Sequence, residues 1–281
     1  MEGEAPSSPW TTPKPRLFAG SRPLKRWRYV GVFCEELMAC AALVQIGPAR
    51  QSFWALHRRD GAGMRERTRL LPRRGEVKLL NGGAQGQGEL HIHDRGVRLD
   101  LCLDEDRDAS IEACCANGRS RVWTRKQAGV GAHGRLALDG GAPRAVQGLA
   151  VIDDTCGYHA RHTEWRWSAG VGIGPDGGAL AWNLVSGVND PPTGSERAVW
   201  VAGSPSEVPP VQFAADLSAI TCAEGGGELL FHAEAERSRH DNLLLVSSDY
   251  RAPFGSFSGT LPGGVELAQG LGVMEHHRAR W

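Results

Sequence analysis

The sequence lacks a surplus of charge of either sign, and its basic residues include few lysines. Lys+Arg and Asp+Glu number 32 each, so the formal net charge is zero. A dedicated nucleic-acid-binding domain normally carries a basic surplus, and this balance therefore argues against nucleic acid as a partner. Only four of the 32 basic residues are lysines. This skew towards arginine fits a GC-rich coding background better than it fits phosphate recognition.

Long apolar runs, an export signal and closely spaced cysteine pairs are also missing. The longest uninterrupted apolar run is Leu37–Val44, whereas a helix needs about 20 apolar residues to cross a bilayer. No basic segment followed by an apolar one opens the chain, so we expect no secretory signal. The seven cysteines contain no C-x-x-C pair, which favours reduced thiols. The sequence thus predicts a cytoplasmic protein without a transmembrane segment.

Glycine, by contrast, is abundant. It accounts for 37 of 281 residues, nearly twice the usual share of about 7%. Several glycines follow Asp or Asn, as in Asp60-Gly61, and such dipeptides form tight hairpin turns. The short stretches between them include residues 97–103, which alternate between apolar and polar side chains as a half-buried strand does. Helical periodicity is arguable only at residues 35–45 and 214–219, so the pattern predicts an all-β protein.

Short motifs recur in the same order in two parts of the chain. A match of three residues arises by chance in a glycine-rich sequence, but three matches in one order indicate a tandem duplication. We therefore divide the chain into an irregular tail (1–24), a first half (25–150) and a second half (151–281), each half suited to a small antiparallel barrel. The matched motifs are Trp27-Arg28-Tyr29 with Trp165-Arg166-Trp167, Ile46-Gly47-Pro48 with Ile173-Gly174-Pro175, and Gly88–His93 with Gly227–His232.

The densest group of chemically active residues lies between positions 152 and 167. If a strand runs from residue 158, then Arg161, Thr163, Trp165 and Trp167 share one of its faces. Two indoles beside a cation and a hydroxyl would suit the wall of a pocket for an apolar ligand with one polar end. The same pattern is typical of a barrel strand with a Trp-packed core face and a solvated charged face.

Three further polar residues near this segment are site candidates. Asp153 or Asp154 would serve as a general acid if burial or mutual repulsion retained its proton. The alternative is that both lie in a solvated turn before the strand. Asn183 belongs to the polar run WNLVSGVND, which either gives hydrogen bonds to a ligand from a loop at a barrel mouth or forms an ordered turn.

The sequence contains no established cofactor or metal motif. It has no G-x-S-x-G elbow, no Walker loop and no H-E-x-x-H. His91 and His93 would share a strand face, but no third histidine, carboxylate or cysteine at zinc spacing is identified beside them. We therefore expect no metal site and no cofactor.

Four runs of sequence resemble the domain-of-unknown-function 2804 family of bacterial proteins. The resemblance begins near residue 21 and is strong over residues 150–281. More distantly, the pattern GY-x-x-R-x-T-x-W-x-W, which begins at Gly157, is similar to the hydroxyneurosporene synthase (carotenoid hydratase) group. The four runs are DDTCGYHARHTEWRWSAGVG, AWNLVSGVNDPPTGSERAVW, RHDNLLLVSSDYRAPFGSFSGTLPGG and GLGVMEHHRARW.

This resemblance implies a fold. The distant group and its cyclase and Diels–Alderase relatives are built from two lipocalin-like barrels. We therefore expect a tandem lipocalin-like (calycin-like) fold of two antiparallel β-barrels or strongly curved sheets. The resemblance implies no particular reaction, because the family has no assigned chemistry and a fold does not fix a function.

Three functions follow as alternatives. The first is a cofactor-free enzyme of hydratase, cyclase or isomerase type that acts on an apolar small molecule in a barrel pocket, with Asp153 or Asp154 as its acid. The second is a non-catalytic lipocalin-like binder or carrier of a hydrophobic ligand, and the third is a scaffold module whose barrels are filled. The enzyme needs a desolvated acid facing a cavity. The carrier needs only the cavity, and the scaffold needs neither.

Overall fold

The computed structural model describes residues 15–82, 87–117, 120–222, 227–243 and 246–280, and these residues form strands and turns but no helix. The expected all-β class is thereby confirmed. Within these ranges there is accordingly no helix able to cross a membrane. Residues 1–14 of the expected tail lie outside the described residues. Its remaining part contains β1 (Phe18–Ala19) and β2 (Arg22–Pro23), which pair with each other.

Among the described residues between 25 and 157, the first sheet has ten antiparallel strands. Their hydrogen-bonded order is β6-β5-β4-β3-β12-β11-β9-β8-β7, and β10 pairs with the first part of β11. The short strand β7 packs across β4 and β5, so the sheet is strongly curled. The strands are β3 (Lys25–Phe33), β4 (Leu37–Ile46), β5 (Ala49–Arg58), β6 (Gly63–Arg69), β7 (Val77–Leu80), β8 (Gln87–Asp94), β9 (Val97–Asp104), β10 (Ile111–Asn117), β11 (Ser120–Leu138) and β12 (Arg144–Gly157).

In the part of the chain from 162 to 280 that the structure describes, the second sheet has nine antiparallel strands. Their order is β16-β15-β14-β13-β21-β20-β19-β18-β17, and β17 packs across β14. The strands are β13 (His162–Ile173), β14 (Ala179–Ser186), β15 (Ala198–Val201), β16 (Ser204–Glu207), β17 (Val211–Phe213), β18 (Ala219–Cys222), β19 (Glu228–Leu243), β20 (Val246–Leu261) and β21 (Val265–Arg280).

The two sheets share one connectivity. In each, a meander of four strands is followed by a second meander whose last strand pairs back onto the first strand, β12 onto β3 and β21 onto β13. The tandem lipocalin-like architecture is thereby confirmed. Of the three repeated motifs, only the Trp-Arg-aromatic one occupies equivalent strands, β3 and β13. In each of the other two motif pairs, the two copies lie on strands that are displaced by one position in the strand order. The chain passes between sheets at residues 158–161, and residue 150 lies inside β12.

Each curled sheet encloses its own apolar core, and a third core lies between the sheets. Successive side chains on a strand point to opposite faces, so Ile152 packs in the first sheet while Val151 packs between the sheets. In the same way Met274 packs inside the second sheet while Val273 packs between the two. Fully buried side chains such as Trp54 and Trp182 fill the two interiors.

Trp167 belongs to the core between the sheets and provides a stability test. Trp167→Ala is expected to lower the free energy of unfolding by about 3–5 kcal/mol. The side chain is 7% exposed and its indole N–H donates a 2.8 Å hydrogen bond to Asn183. Urea denaturation followed by circular dichroism measures the change, with Trp165→Ala, at a half-buried site, as the milder comparison. A loss below about 0.5 kcal/mol, the size of an ordinary surface substitution, would contradict this burial.

Candidate functional site

A cavity of about 410 Å³ lies between the two sheets, and we call it the inter-sheet pocket. Its volume is within the range of small-molecule sites. Both sheets contribute to its wall because β3, β12, β13 and β21 turn alternate side chains towards the shared core. The pocket therefore lies outside both barrel interiors, where the sequence suggested a site. Its aromatic lining consists of Trp27, Tyr29, Phe53, Trp165, Trp167 and Tyr250.

Two indole–carboxylate pairs face this pocket. Trp27 donates its indole N–H to Asp153 Oδ2 at 2.9 Å, and Trp165 donates its indole N–H to Glu275 Oε1 at 2.7 Å. The pairs are equivalent in the duplicated fold. Trp27 on β3 and Trp165 on β13 lie opposite Thr155 on β12 and His277 on β21. Asp153 precedes Thr155 by two positions, and Glu275 precedes His277 by two positions. Each half of the duplication therefore supplies one acid.

Asp153 is held in an ion pair. Lys126 Nζ lies 2.7 Å from Asp153 Oδ1 and 3.3 Å from Glu196 Oε1, and the Thr155 hydroxyl also donates to Asp153 Oδ1 at 2.8 Å. Burial alone disfavours the Lys126 cation, but the two carboxylates reverse this and raise its pKa. Burial and the charge of Asp153 raise the pKa of Glu196, against the opposing effect of Lys126. The Lys126 ammonium is thus the shared ion-pair partner of Asp153 and Glu196.

Glu275 has a different environment. Burial raises its pKa to about 7, with the negative charge of Asp153 adding to the rise. Hydrogen bonds from Trp165 and Tyr250 and the charge of Arg237 oppose the shift. The side chain is half-buried by surface area, but it lines the pocket, so protein atoms surround it on the other sides. Glu275 therefore retains its proton in a large fraction of molecules near neutral pH.

Two neutral histidines accompany the indoles. The His159 ring centroid lies 5.3 Å from that of Trp27, and the His277 centroid lies 4.3 Å from that of Trp165. Burial, assisted by the positive charge of Lys25, lowers the pKa of each imidazole to about 3. Both rings line the pocket as neutral groups.

The lowered pKa values of these imidazoles predict that the folded protein loses stability in acid. Below pH 6.5 the unfolded chain binds protons at both histidines while the folded protein does not, so the free energy of unfolding falls as pH drops towards 3. The slope reaches at most about 1.4 kcal/mol per pH unit for each ring. Glu275 acts oppositely, because its raised pKa stabilises the fold below about pH 4.5 and this contribution is lost as pH rises through 7.

Urea midpoints measured between pH 7 and pH 4 test this prediction. The decline should be shallower in His159→Gln, since the wild-type His159 side chain is 5% exposed. His240→Gln, at an exposed position on β19, should keep the wild-type slope. Equal slopes in wild type and His159→Gln would contradict the lowered pKa.

The two adjacent aspartates point in opposite directions. Both lie inside β12 and are buried, so the solvated turn considered from the sequence is wrong. Asp153 lines the inter-sheet pocket, whereas Asp154 turns to the other face of the sheet. There its Oδ2 lies 2.7 Å from both Arg28 and Arg125. Asp154 thus faces away from the pocket.

The other sequence candidates occupy varied positions. Trp165 and Trp167 line the pocket. Arg161 is exposed at the bend before β13, which begins at residue 162 rather than 158, and Thr163 is buried outside the lining. Asn183 is also outside the lining, where it accepts the Trp167 hydrogen bond and donates to the Glu196 carbonyl at 2.7 Å. It therefore positions one wall of the pocket.

Sequence reasoning missed Glu275, His277, Lys25 and Lys126. Glu275 and His277 sit in a charged run on the last strand, where only the β13–β21 register reveals which side chains face Trp165. The scarcity of lysine was a usable signal in the sequence. In a chain with only four lysines, Lys25 and Lys126 both line the pocket and each is 3% exposed.

One cluster outside the pocket has metal-ligating groups. His91 on β8 and Asp100 on β9 are register partners, and both His91 Nδ1 and His93 Nε2 lie 2.6 Å from Asp100 Oδ1. The structure thus supplies a carboxylate beside the two histidines, and these three residues could hold a divalent metal. Asp100 also accepts a hydrogen bond from Arg98 at 3.2 Å.

The family model of the domain of unknown function DUF2804 matches residues 116–281. The chain belongs to this family, as its sequence motifs suggested. No curated protein matches the chain by sequence.

Solved structures share its fold at low sequence identity. A protein assigned as AttH from Nitrosomonas europaea superposes with a TM-score of 0.59 at 12% identity, covering 97% of this chain and 98% of the other. Kievitone hydratase from Nectria haematococca gives 0.58 at 11% identity, with 90% and 88% covered. CghA gives 0.51 at 9% identity, with 92% and 88% covered. At these identities the likeness shows the fold alone.

Proposed function

We propose that this member of the domain-of-unknown-function 2804 family is an enzyme of hydratase, cyclase or isomerase type that acts on a largely apolar small molecule. The observation that carries the proposal is the environment of Glu275. It is a carboxylic acid on an aromatic pocket wall whose pKa is raised to about 7. A general acid works best when its pKa lies near the working pH.

In this mechanism Glu275 donates its proton to a carbon–carbon double bond of the substrate. The electron pair of the double bond forms the new C–H bond, and the positive charge that develops faces Trp165 and Trp167. Indole and phenol rings stabilise such a charge through their negative faces. The Asp153 carboxylate, oriented by Trp27 and Lys126, adds electrostatic stabilisation from the opposite sheet.

The product then depends on which group reacts with the carbocation. Addition of water followed by loss of a proton from it gives hydration, attack by a second double bond followed by loss of a proton gives cyclisation, and direct loss of a neighbouring proton gives isomerisation. In each case the released proton returns to the Glu275 carboxylate, which restores the acid. Every step uses groups of this chain, the substrate and, in hydration, a water molecule.

Deuterium incorporation tests the proposal for all three reaction types at once. The protein is incubated in D₂O with a panel of prenyl alcohols and aryl enones, and products are analysed by mass spectrometry for carbon-bound deuterium. Wild type should label at least one compound that binds, and Glu275→Gln should not. Glu266→Gln, at an exposed position on the same strand, is the matched control and should label as wild type does.

The carrier is the alternative that this experiment separates. A compound that binds with micromolar or better affinity and emerges unlabelled from wild type would favour a carrier. Absence of binding by the whole panel would favour a scaffold.

A further inference from the structure

The outer face of the first sheet carries a cluster of metal-binding groups on β8 and β9. His91 and Asp100 are register partners on these neighbouring strands, and His93 lies two residues beyond His91. Successive side chains on a strand alternate between its faces. Leu90 and Ile92 pack in the core of the first sheet, so both imidazoles project from the opposite face. The cluster therefore lies outside the inter-sheet pocket, and the proton-transfer mechanism does not use it.

Three donor atoms converge in this cluster. Nδ1 of His91 and Nε2 of His93 each lie 2.6 Å from Oδ1 of Asp100, and the donor atoms of all three residues lie within 4.8 Å of one another. Ligand atoms of a tetrahedral zinc ion lie about 3.3 Å apart, because Zn–N and Zn–O bonds are about 2.0–2.2 Å long. The three side chains are partly exposed, so shifts of less than about 1 Å would make room for an ion.

The hydrogen bonds of His91 point to a cation at this place. Its Nε2 lies 2.9 Å from Oε2 of Glu89, while its Nδ1 faces Oδ1 of Asp100. A neutral imidazole carries a single N–H, so it can donate to only one of these two carboxylates. The lone pair of the other ring nitrogen then faces a carboxylate oxygen, and only a cation between them makes that approach favourable. This cation is either a second proton on the ring or a metal ion.

The groups around the cluster fit a metal ion. Histidines that bind metals almost always donate their second ring N–H to a carboxylate, a carbonyl or a water molecule, and Glu89 is such an acceptor for His91. Lys78 Nζ lies 3.1 Å from the same Glu89 oxygen. Arg98 donates from Nε to Oδ2 of Asp100 at 3.2 Å, which leaves Oδ1 directed at the imidazoles. All three donor residues lie on strands, which hold ligands more precisely than loops do.

We propose that Nδ1 of His91, Nε2 of His93 and Oδ1 of Asp100 bind a divalent transition-metal ion of the zinc type. Two imidazoles and one carboxylate suit Zn²⁺, whereas Ca²⁺ and Mg²⁺ are bound by oxygen ligands. Three protein ligands leave the fourth tetrahedral position to water. The ion joins β8 to β9 on the outer face of the sheet. Spacing along the chain did not reveal the third ligand, because Asp100 reaches the histidines only through the β8–β9 register.

Zinc titration of the protein without an affinity tag tests this site. The protein is treated with EDTA, desalted and titrated with ZnCl₂ at pH 7.5 by isothermal titration calorimetry. Wild type should bind one equivalent with a Kd of about 10 μM or tighter. Zn²⁺ should also raise the midpoint of urea denaturation, because the unfolded chain does not hold the three ligands together, and EDTA should reverse this rise.

Variants assign the binding to these residues. His93→Gln and Asp100→Asn each remove one ligand and should weaken Zn²⁺ binding by at least about 10-fold. His133→Gln is the matched control, because His133 is an exposed histidine 3.6 Å from Asp104 that belongs to no three-ligand group among the described residues. Cys102→Ser removes a partly exposed thiol two residues from Asp100. Both controls should bind Zn²⁺ as wild type does, and circular dichroism verifies that each variant is folded.

Nuclear magnetic resonance of the histidine rings identifies the donor atoms. In long-range ¹H–¹⁵N spectra, Zn²⁺ should shift the resonances of Nδ1 in His91 and Nε2 in His93. A shift centred on Nε2 of His91 would contradict the assignment of Glu89 as the acceptor of that N–H.

Three results would overturn the metal site itself. One is a wild-type protein that binds no Zn²⁺ at about 100 μM, which would leave a second proton on His91 as the cation. Another is wild-type affinity in both His93→Gln and Asp100→Asn. The third is loss of binding in Cys102→Ser, which would assign the ion to a thiolate. None of these results bears on the proposed enzyme function, which depends on Glu275 in the inter-sheet pocket.

Discussion

Replacement of Glu275 by glutamine is expected to lower the rate of deuterium incorporation by about 10²- to 10⁴-fold and to change ligand affinity by less than about 3-fold. Glutamine has nearly the same shape, and its amide oxygen can still accept the Trp165 indole N–H that now binds the carboxyl group at 2.7 Å. The amide has no acidic proton to transfer. The variant thus removes the chemistry and leaves the wall of the pocket intact.

The pH dependence of the wild-type rate gives a second readout of the same residue. If protonated Glu275 is the acid, the rate should fall as pH rises through about 7, the value to which burial raises its pKa. A rate that stays constant from pH 5 to pH 9 would contradict this role. So would a Glu275→Gln variant that retains more than about a third of the wild-type rate, since general acid catalysis is worth at least about 10²-fold.

The fold was predictable from the sequence because its determinants are local. Asp-Gly dipeptides mark hairpin turns wherever they occur, and alternation of apolar and polar residues at 97–103 is visible without knowledge of any partner strand. The arguable helix at 35–45 is instead β4, whose residues Leu37–Ala42 are buried on both faces. A strand buried on both faces carries no period-two signal, so its pattern resembles that of a buried helix.

The site was only partly predictable because it depends on pairing between distant strands. Trp165 and Trp167 fall on one face of a single strand, which their spacing reveals. Glu275 reaches the same pocket only because β21 pairs with β13 in a register that sets it opposite Trp167. That register is a property of the assembled sheet and leaves no mark on the residues around 275.

Asp153 and Asp154 illustrate which features of the site the local sequence can predict. Both stood out as candidate acids, and a strand sends neighbouring side chains to opposite faces. The alternative considered from the sequence, a solvated turn, carries no such distinction. Once β12 is known to extend to Gly157, alternation alone separates the pocket residue Asp153 from the core residue Asp154.

This separation leads to a matched pair of substitutions with different consequences. Asp154→Asn is expected to lower the free energy of unfolding by about 3–5 kcal/mol, the usual cost of breaking a buried ion pair by removing one partner. Asp154 is 0% exposed and contacts both Arg28 and Arg125, and Arg28 also contacts Glu105 at 2.5 Å. The variant leaves two buried guanidinium groups with one carboxylate.

Asp153→Asn makes the same chemical change one residue away and should cost clearly less stability. Its cation, Lys126, keeps Glu196 as a partner at 3.3 Å, and the Asp153 side chain borders the pocket rather than the core. Urea denaturation of the two variants gives the comparison. Binding of the prenyl alcohols and aryl enones gives the counterpart, since only Asp153→Asn alters a pocket residue. Equal losses of stability in the two variants would contradict the assignment of Asp154 to a buried ion-pair network and of Asp153 to the pocket wall. An Asp154→Asn loss below about 1 kcal/mol would also contradict it, because removing one carboxylate from a buried network costs more than losing an exposed ion pair.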